Sequence, residues 1–155
     1  MTYRSTTLVP PNVLLVDDEG SFLETLAKRI AKRNLTVDTA LSGQEALDKL
    51  NENGAESDFD VVVLDVKMPG MDGLETLSAI KRKHPNVEVI MLTGHATVES
   101  AIDGMKAGAY DYLMTPCDID LLLAKIDRAV LKKREHEEKI LEAKAQMIAL
   151  KRGMD

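Results

Sequence analysis

Residues 61–77, VVVLDVKMPGMDGLETL, decide the fold of this chain. The first four residues are all apolar, which is typical of a short strand that is buried on both faces. Residues 74–83 then place apolar side chains at helical spacing, and Pro85 ends the pattern. A buried strand followed by a helix is the repeating unit of a parallel α/β sheet.

The same alternation extends in both directions from this segment. Further strands are predicted at residues 12–16, 35–39, 87–92 and 110–114. Further helices are predicted at residues 21–33, 43–50 and 97–107, and from about residue 118 onward. Five strands that alternate with five helices imply parallel pairing through right-handed crossovers. The predicted fold class is therefore α/β, a three-layer α/β/α sandwich built on a five-stranded parallel sheet.

The composition is that of a soluble globular protein of about one domain. The chain has 155 residues, of which 45% are hydrophobic and 30% are charged. No apolar run approaches the roughly 20 residues that span a bilayer, and the first 11 residues lack the apolar core of a signal peptide. The single cysteine, Cys117, cannot form an internal disulfide. We therefore expect a cytoplasmic protein without membrane contact, and the net charge of −6 argues against nucleic acid as the main partner.

Acidic and hydroxyl side chains follow three of the predicted strands. Asp17 and Asp18 follow the first strand, Asp65 follows the third and Thr93 follows the fourth. Ligands of open parallel sheets gather at the carboxyl ends of the strands, so we expect these side chains to lie close together. Packed carboxylates repel one another unless a cation lies among them, and an oxygen-rich site suits Mg²⁺ or Mn²⁺. A cation beside Asp65 would neutralise an incoming phosphoryl group, which predicts Asp65 as a nucleophile.

Each of these residues taken alone has a simpler interpretation. Asp17 and Asp18 are also typical of a turn or a helix N-cap, the same holds for Asp65, and Thr93 fits a loop hydroxyl. The joint placement at three strand ends favours a site, because unrelated turn residues have no reason to meet at one edge of a sheet.

Four segments resemble the receiver domain of response regulators in their order and spacing. They are LLVDDEGSF at 14–22, VVVLDVKMPGMDGLETL at 61–77, VIMLTGHA at 89–96 and GAYDYLMTP at 108–116. The resemblance covers about residues 12–130, and the stretch from Asp65 to Gly73 is highly specific. It implies a flavodoxin-like fold with strand order 2-1-3-4-5. It also implies a chain that takes a phosphoryl group from a histidine kinase or a phosphotransfer protein.

The resemblance implies a role for each residue of the acidic pocket. Asp65 would be the phosphoacceptor, Asp18 would bind Mg²⁺ directly, and Asp17 would bind it through water. Lys67 would offer its backbone carbonyl to the metal. We expect no enzymatic activity beyond self-catalysed phosphorylation and dephosphorylation. Hydrolases that form an aspartyl phosphate usually carry a second Asp at the position that Lys67 occupies here.

The resemblance also implies a conformational switch. Thr93 would move to hydrogen-bond the phosphoryl group, and Gly94 would leave room for it and offer its backbone N–H. Tyr112 would turn inward when Thr93 moves. The surface that changes would be formed by the fourth helix, the fifth strand and the fifth helix. It would bind a partner or a second copy of the chain.

One residue departs from the family pattern. The family carries a Lys just before the Pro that follows the fifth strand, and this chain has Thr115 before Pro116. A neutral hydroxyl replaces a positive charge, so we expect weaker stabilisation of the phosphoryl group. Two outcomes remain open, a domain that is still phosphorylated with the cation alone and a pseudo-receiver that binds partners without phosphate. The bond between Thr115 and Pro116 is expected to be cis, as in the family.

The three histidines and the cysteine lie outside this pattern. His95, two residues after Thr93, either faces the water that attacks the phosphoryl group or is an exposed loop residue. His84 and His136 lie among charged residues and are predicted to be solvated surface residues. Cys117 replaces an aromatic residue that often follows the Pro, and it is predicted to be a small buried residue.

The last predicted helix continues past the receiver domain, because no Gly or Pro intervenes between residue 118 and Gly153. Its apolar residues keep 3-4 spacing, but Lys133 and His136 interrupt the stripe. We expect an N-terminal extension at residues 1–11, the receiver domain at 12–130 and a helical extension or linker at 131–155. The extension is either a helix that dimerises or leads into an output domain, or a solvated helix without a partner.

Overall fold

A computed structural model describes residues 9–54 and 57–153, so most of the predicted N-terminal extension lies outside the described residues. The strands are β1 (Asn12–Val16), β2 (Thr36–Ala40), β3 (Val61–Leu64), β4 (Glu88–Thr93) and β5 (Asp111–Met114). The helices are α1 (Gly20–Ala31), α2 (Gly43–Leu50), α3 (Gly73–Lys83), α4 (Val98–Lys106) and α5 (Ile119–Gly153). The order of the elements confirms the predicted alternation, with bounds that differ by one or two residues.

The five strands form one parallel sheet in the order β2-β1-β3-β4-β5, as the family resemblance implies. Val16 at the end of β1 pairs with Ala40 of β2 and with Leu64 of β3. Thr93 at the end of β4 pairs with Met114 of β5. The carboxyl ends of the strands are therefore aligned along one edge, and this alignment brings together the residues that follow them.

Two apolar cores lie on opposite faces of the sheet, because successive side chains of a strand point to opposite faces. Leu14 and Val16 of β1 belong to a core shared with α2 and α3. Val13 and Leu15 belong to a core shared with α1 and α5. All four side chains are at most 2% exposed. Helices thus cover both faces of the sheet, which confirms the three-layer arrangement.

α5 runs for 35 residues and stays in contact with the domain beyond residue 130. Lys133 is 6% exposed, and its Nζ donates to Oδ1 of Asp60, the residue before β3, at 3.2 Å. Arg134 donates to Oδ2 of the same carboxylate at 3.2 Å. Lys133 therefore does more than interrupt the apolar stripe, because it is a buried cation with a buried acidic partner. None of the helices in the described part of the chain has the length and apolarity that crossing a membrane requires.

Two predictions about single side chains are wrong. His84 is 3% exposed rather than solvated, and its Nε2 lies 2.7 Å from Oδ1 of Asn51. This contact joins the end of α3 to the end of α2 and gives the buried ring a polar partner. Cys117 is half-buried rather than buried. His136 is exposed, as predicted.

Candidate functional site

The carboxylates of Asp17, Asp18 and Asp65 meet at the carboxyl edge of the sheet. One oxygen of each carboxylate lies within 4.8 Å of an oxygen of the other two. Asp17 is 8% exposed and Asp65 is 6% exposed, whereas Asp18 is open to solvent. The predicted convergence of these three side chains is therefore confirmed.

Local hydrogen bonds orient the two buried carboxylates. The N–H of Asp65 donates to the carbonyl of Val16 at 3.0 Å, which continues the pairing of β1 and β3 by one residue. Oδ1 of Asp65 accepts from the N–H of Val66 at 2.8 Å. Oδ1 of Asp17 accepts from the N–H of Glu19 at 2.9 Å. Because a carboxylate has two oxygens that can each accept, these bonds leave capacity for a ligand in both side chains.

Burial and the neighbouring charges disfavour the ionised form of Asp17. Burial raises the pKa of Asp17 to about 6, and the charges of Asp65, Asp18 and Glu19 act in the same direction. The N–H of Glu19 opposes them. A divalent cation would compensate these charges, and carboxylate oxygens are ligands that Mg²⁺ and Mn²⁺ prefer. The donor set therefore fits such an ion, which Asp17, Asp18 and Asp65 could hold together.

The loop between β3 and α3 folds back tightly on Asp65. The N–H of Gly73 donates to the carbonyl of Val66 at 2.7 Å. A Cβ at Gly73 would lie 2.1 Å from the carbonyl oxygen of Asp65, so only glycine permits this approach of backbone to backbone. The preceding residue, Asp72, starts α3 with a capping box that includes Glu75. The Asp-Gly pair of the specific motif thus shapes the backbone that carries Asp65, a role that was not predicted from the sequence.

Thr93 ends β4, the neighbour of β3 in the sheet, and is 1% exposed. Its Oγ1 accepts from the N–H of His95 at 3.0 Å, and its carbonyl accepts from the N–H of Thr115 at 2.9 Å. A Cβ at Gly94 would lie 3.2 Å from Oγ1 of Thr115, so the Thr115 hydroxyl borders Gly94. The bond between Thr115 and Pro116 is cis, as predicted. The His95 side chain is exposed, which agrees with both of its interpretations.

Lys67 and Tyr112, the other residues named by the family resemblance, lie in different surroundings. The side chain of Lys67, two residues after Asp65, is exposed. Tyr112 of β5 is half-buried, and its hydroxyl lies 2.6 Å from Oγ of Ser100 in the first turn of α4. Ser100 was not predicted to matter. The feature of the sequence that could have indicated Ser100 is its position three residues after Thr97, which is the position of the second residue of a capping box.

The family model for the response regulator receiver domain matches residues 13–127. The DNA-binding transcriptional regulator NtrC of Klebsiella pneumoniae is 38% identical over 124 residues, which are 80% of this chain and 26% of the relative. The transcriptional regulatory protein ZraR of Escherichia coli is 37% identical over 119 residues, which are 77% of this chain and 26% of the relative.

A solved receiver domain structure from Clostridium thermocellum is 36% identical, with a TM-score of 0.75, and the alignment covers 80% of this chain and 97% of that one. The chain spans about a quarter of the length of the curated relatives it matches. Its match to one family over residues 13–127, on a sheet with the strand order expected of that family, means that the chain belongs to the response regulator receiver domains of two-component signal transduction.

Proposed function

We propose that Asp65 accepts a phosphoryl group from the phosphohistidine of a histidine kinase or a phosphotransfer protein. The observation that carries this proposal is the grouping of buried Asp65 with Asp17 and Asp18, one oxygen of each within 4.8 Å of the others. An oxygen of Asp65 forms a bond to phosphorus while the P–N bond of the donor breaks. The donor imidazole leaves with the electron pair and takes up a proton.

In this proposal Asp65 is the residue that reacts, and the other pocket residues bind and orient. Asp17, Asp18 and Asp65, with the backbone carbonyl of Lys67, would hold Mg²⁺, or Mn²⁺ in its place. When bound, such an ion neutralises charge on the phosphoryl oxygens and on the carboxylates. The N–H of Val66 orients the Asp65 carboxylate through Oδ1, and the second oxygen would be the nucleophile. The chain would act as a signalling phosphoacceptor and not as an enzyme on other substrates.

The proposed switch uses Thr93, Gly94 and Tyr112. Thr93 would give up its bond from the N–H of His95 in order to hydrogen-bond the phosphoryl group, and Gly94 would donate its backbone N–H. The affected surface would be the face made by α4, β5 and α5. This face exposes large apolar side chains, which supports a role in binding a partner or a second copy: Val98 79%, Ile102 49%, Met105 48%, Met114 62% and Leu121 45%.

An alternative function is suggested by Thr115, which stands where the family carries a lysine. Its hydroxyl borders Gly94 but carries no charge, so phosphoryl stabilisation would rest on the cation and on backbone donors. In the alternative proposal the chain is a pseudo-receiver that binds partners through the same face without phosphate. The complete acidic group favours the phosphoacceptor, because a module that binds without phosphate does not require three closely spaced carboxylates.

The proposal includes the expected division of the chain. The receiver domain would occupy residues 12–130, and residues 131–155 would form a helical extension that dimerises or leads into an output domain. Exposed apolar residues on α5, Leu141, Met147, Ile148 and Leu150, support a contact with another helix. The DNA-binding function of the regulator NtrC is part of that longer protein, and we propose no direct nucleic acid binding for this chain. A cytoplasmic location belongs to the same proposal, since the single cysteine does not require an oxidising compartment.

Treatment with Mg²⁺ and acetyl phosphate, followed by intact mass measurement, tests the proposal. The wild type should gain one phosphoryl group, and Asp65→Asn should gain none. Asp48→Asn, which changes an exposed carboxylate on α2 in the same way, serves as the control and should react like the wild type. A wild type without adduct would reject the phosphoacceptor and leave the pseudo-receiver, whose partner binding Asp65→Asn should not change.

A further inference from the structure

The Ser100 hydroxyl lies between the start of α4 and the ring of Tyr112. Its Oγ is 2.6 Å from the Tyr112 hydroxyl, 3.0 Å from Oγ1 of Thr97 and 3.1 Å from the carbonyl oxygen of Thr97. The N–H of Thr97 donates to the same Oγ at 3.1 Å. Ser100 therefore completes the capping box of α4 and contacts the tyrosine at the same time.

The Ser100 hydroxyl has one proton and two lone pairs, so it makes at most three hydrogen bonds at once. The N–H of Thr97 uses one lone pair, and the Thr97 hydroxyl in turn accepts from the N–H of Ser100 at 2.9 Å. Either oxygen can donate across the 2.6 Å contact between Ser100 and Tyr112. In both directions this bond joins the Tyr112 hydroxyl to the cap of α4.

A second contact holds the tyrosine ring against the same helix face. Gly104 lies one turn after Ser100, on the same side of α4. A Cβ at Gly104 would lie 3.5 Å from Cδ2 of Tyr112, so the ring already packs close to this backbone. α4 thus contacts Tyr112 at its hydroxyl and at its ring.

Ser100 also lies shortly after a segment that begins with Thr93, at the edge of the sheet where the three aspartates meet. Thr93 accepts from the N–H of His95. Thr97, two residues after His95, is the N-cap residue of α4. A displacement of residues 93–97 moves Thr97, and four hydrogen-bond contacts join Thr97 to Ser100. We infer that Ser100 is a positioning residue that couples the orientation of Tyr112 to this segment. The inference rests on the proposed function, because it gives that coupling a role in the response to phosphorylation of Asp65.

Fluorine NMR of fluorotyrosine-labelled protein tests the inference in the resting state. The chain has three tyrosines and no tryptophan, so Tyr112→Phe identifies the Tyr112 signal. We expect that signal to move in Ser100→Ala and to stay in place in Ser78→Ala, which makes the same change on an exposed part of α3. Amide exchange in the first turn of α4 should become about threefold to tenfold faster in Ser100→Ala, as loss of one or more hydrogen bonds implies.

Ser100→Thr separates positioning from a general loss of structure. It keeps the hydroxyl, so its Tyr112 signal should lie at the wild-type position. After treatment with Mg²⁺ and acetyl phosphate, the Tyr112 signal should move in the wild type and move less in Ser100→Ala. An unchanged Tyr112 signal in resting Ser100→Ala would overturn the inference, and so would a Ser100→Thr signal at the Ser100→Ala position. Failure of the proposed function is a different result, namely no phosphoryl adduct on the wild type.

Discussion

Replacing Asp17 by asparagine should stabilise the protein when no divalent cation is present. Burial, together with the charges of Asp65, Asp18 and Glu19, raises the pKa of Asp17 from 3.8 to about 6 on folding. The folded state therefore binds this proton more tightly than the unfolded state. Ionisation of Asp17 costs the folded state nothing below about pH 4, an increasing amount between the two pKa values, and the full amount above about pH 6.

The size of the effect follows from the change in pKa. Each tenfold change in proton affinity corresponds to about 1.4 kcal/mol, so the ionised Asp17 lowers the free energy of unfolding by up to about 3 kcal/mol above pH 6. Asparagine has nearly the same shape and can still accept the N–H of Glu19. Asp17→Asn should therefore raise the free energy of unfolding by up to about 3 kcal/mol near pH 8 and change it little near pH 4.

Urea denaturation in the presence of EDTA, at about pH 8 and about pH 4, measures this difference. Asp48→Asn is the matched control and should shift the midpoint little, because Asp48 is exposed. Added Mg²⁺ should raise the stability of the wild type and raise that of Asp17→Asn less, since a ligand that binds only the folded state stabilises it by mass action. If Asp17→Asn is less stable than the wild type at pH 8 in EDTA, the ionised Asp17 does not destabilise the folded state.

Three further substitutions probe other parts of the fold by the same denaturation assay. Asp60→Ala should lower the free energy of unfolding by about 3–5 kcal/mol, because it leaves Lys133 buried without this carboxylate; an unchanged midpoint would count against a structural role for this pair. Gly73→Ala should lower the free energy of unfolding by at least about 1–3 kcal/mol, because the alanine Cβ would overlap the carbonyl of Asp65. A variant as stable as the wild type would contradict this overlap. Gly104→Ala should stabilise α4 by about 1 kcal/mol, since its Cβ meets only ordinary contacts, and a loss of stability would contradict the packing described here.

Local pattern was enough to predict the five strands, the five helices and the aspartates that meet. Buried strands such as β3 read as unbroken apolar runs, and parallel strands align their carboxyl ends whatever the detailed packing. The strand order itself came from the family resemblance and not from periodicity. The ends of α1 and α4 differ by one or two residues from their predicted ends, because the caps decide where each helix begins and ends.

The burial of two polar residues was missed because their partners are distant in the chain. His84 lies among charged residues in the sequence, but its partner Asn51 is 33 residues away, so local context could not predict its burial. Lys133 lies on the apolar stripe of α5, and Asp60, 73 residues earlier, allows it to be buried. The sequence did contain a signal for this pair. It was an acidic residue directly before a fully buried strand, together with a lysine on an apolar helix face. Neither residue alone indicated the pair.

We propose that three carboxylates, contributed by the ends of two neighbouring strands, prepare Asp65 to accept a phosphoryl group. Borohydride reduction of protein treated with Mg²⁺ and acetyl phosphate tests it most directly, because reduction converts an aspartyl phosphate to homoserine that peptide mapping locates. We predict homoserine at position 65 in the presence of Mg²⁺ and none when EDTA replaces it. Homoserine at another aspartate, or at no position, would contradict this account of the site.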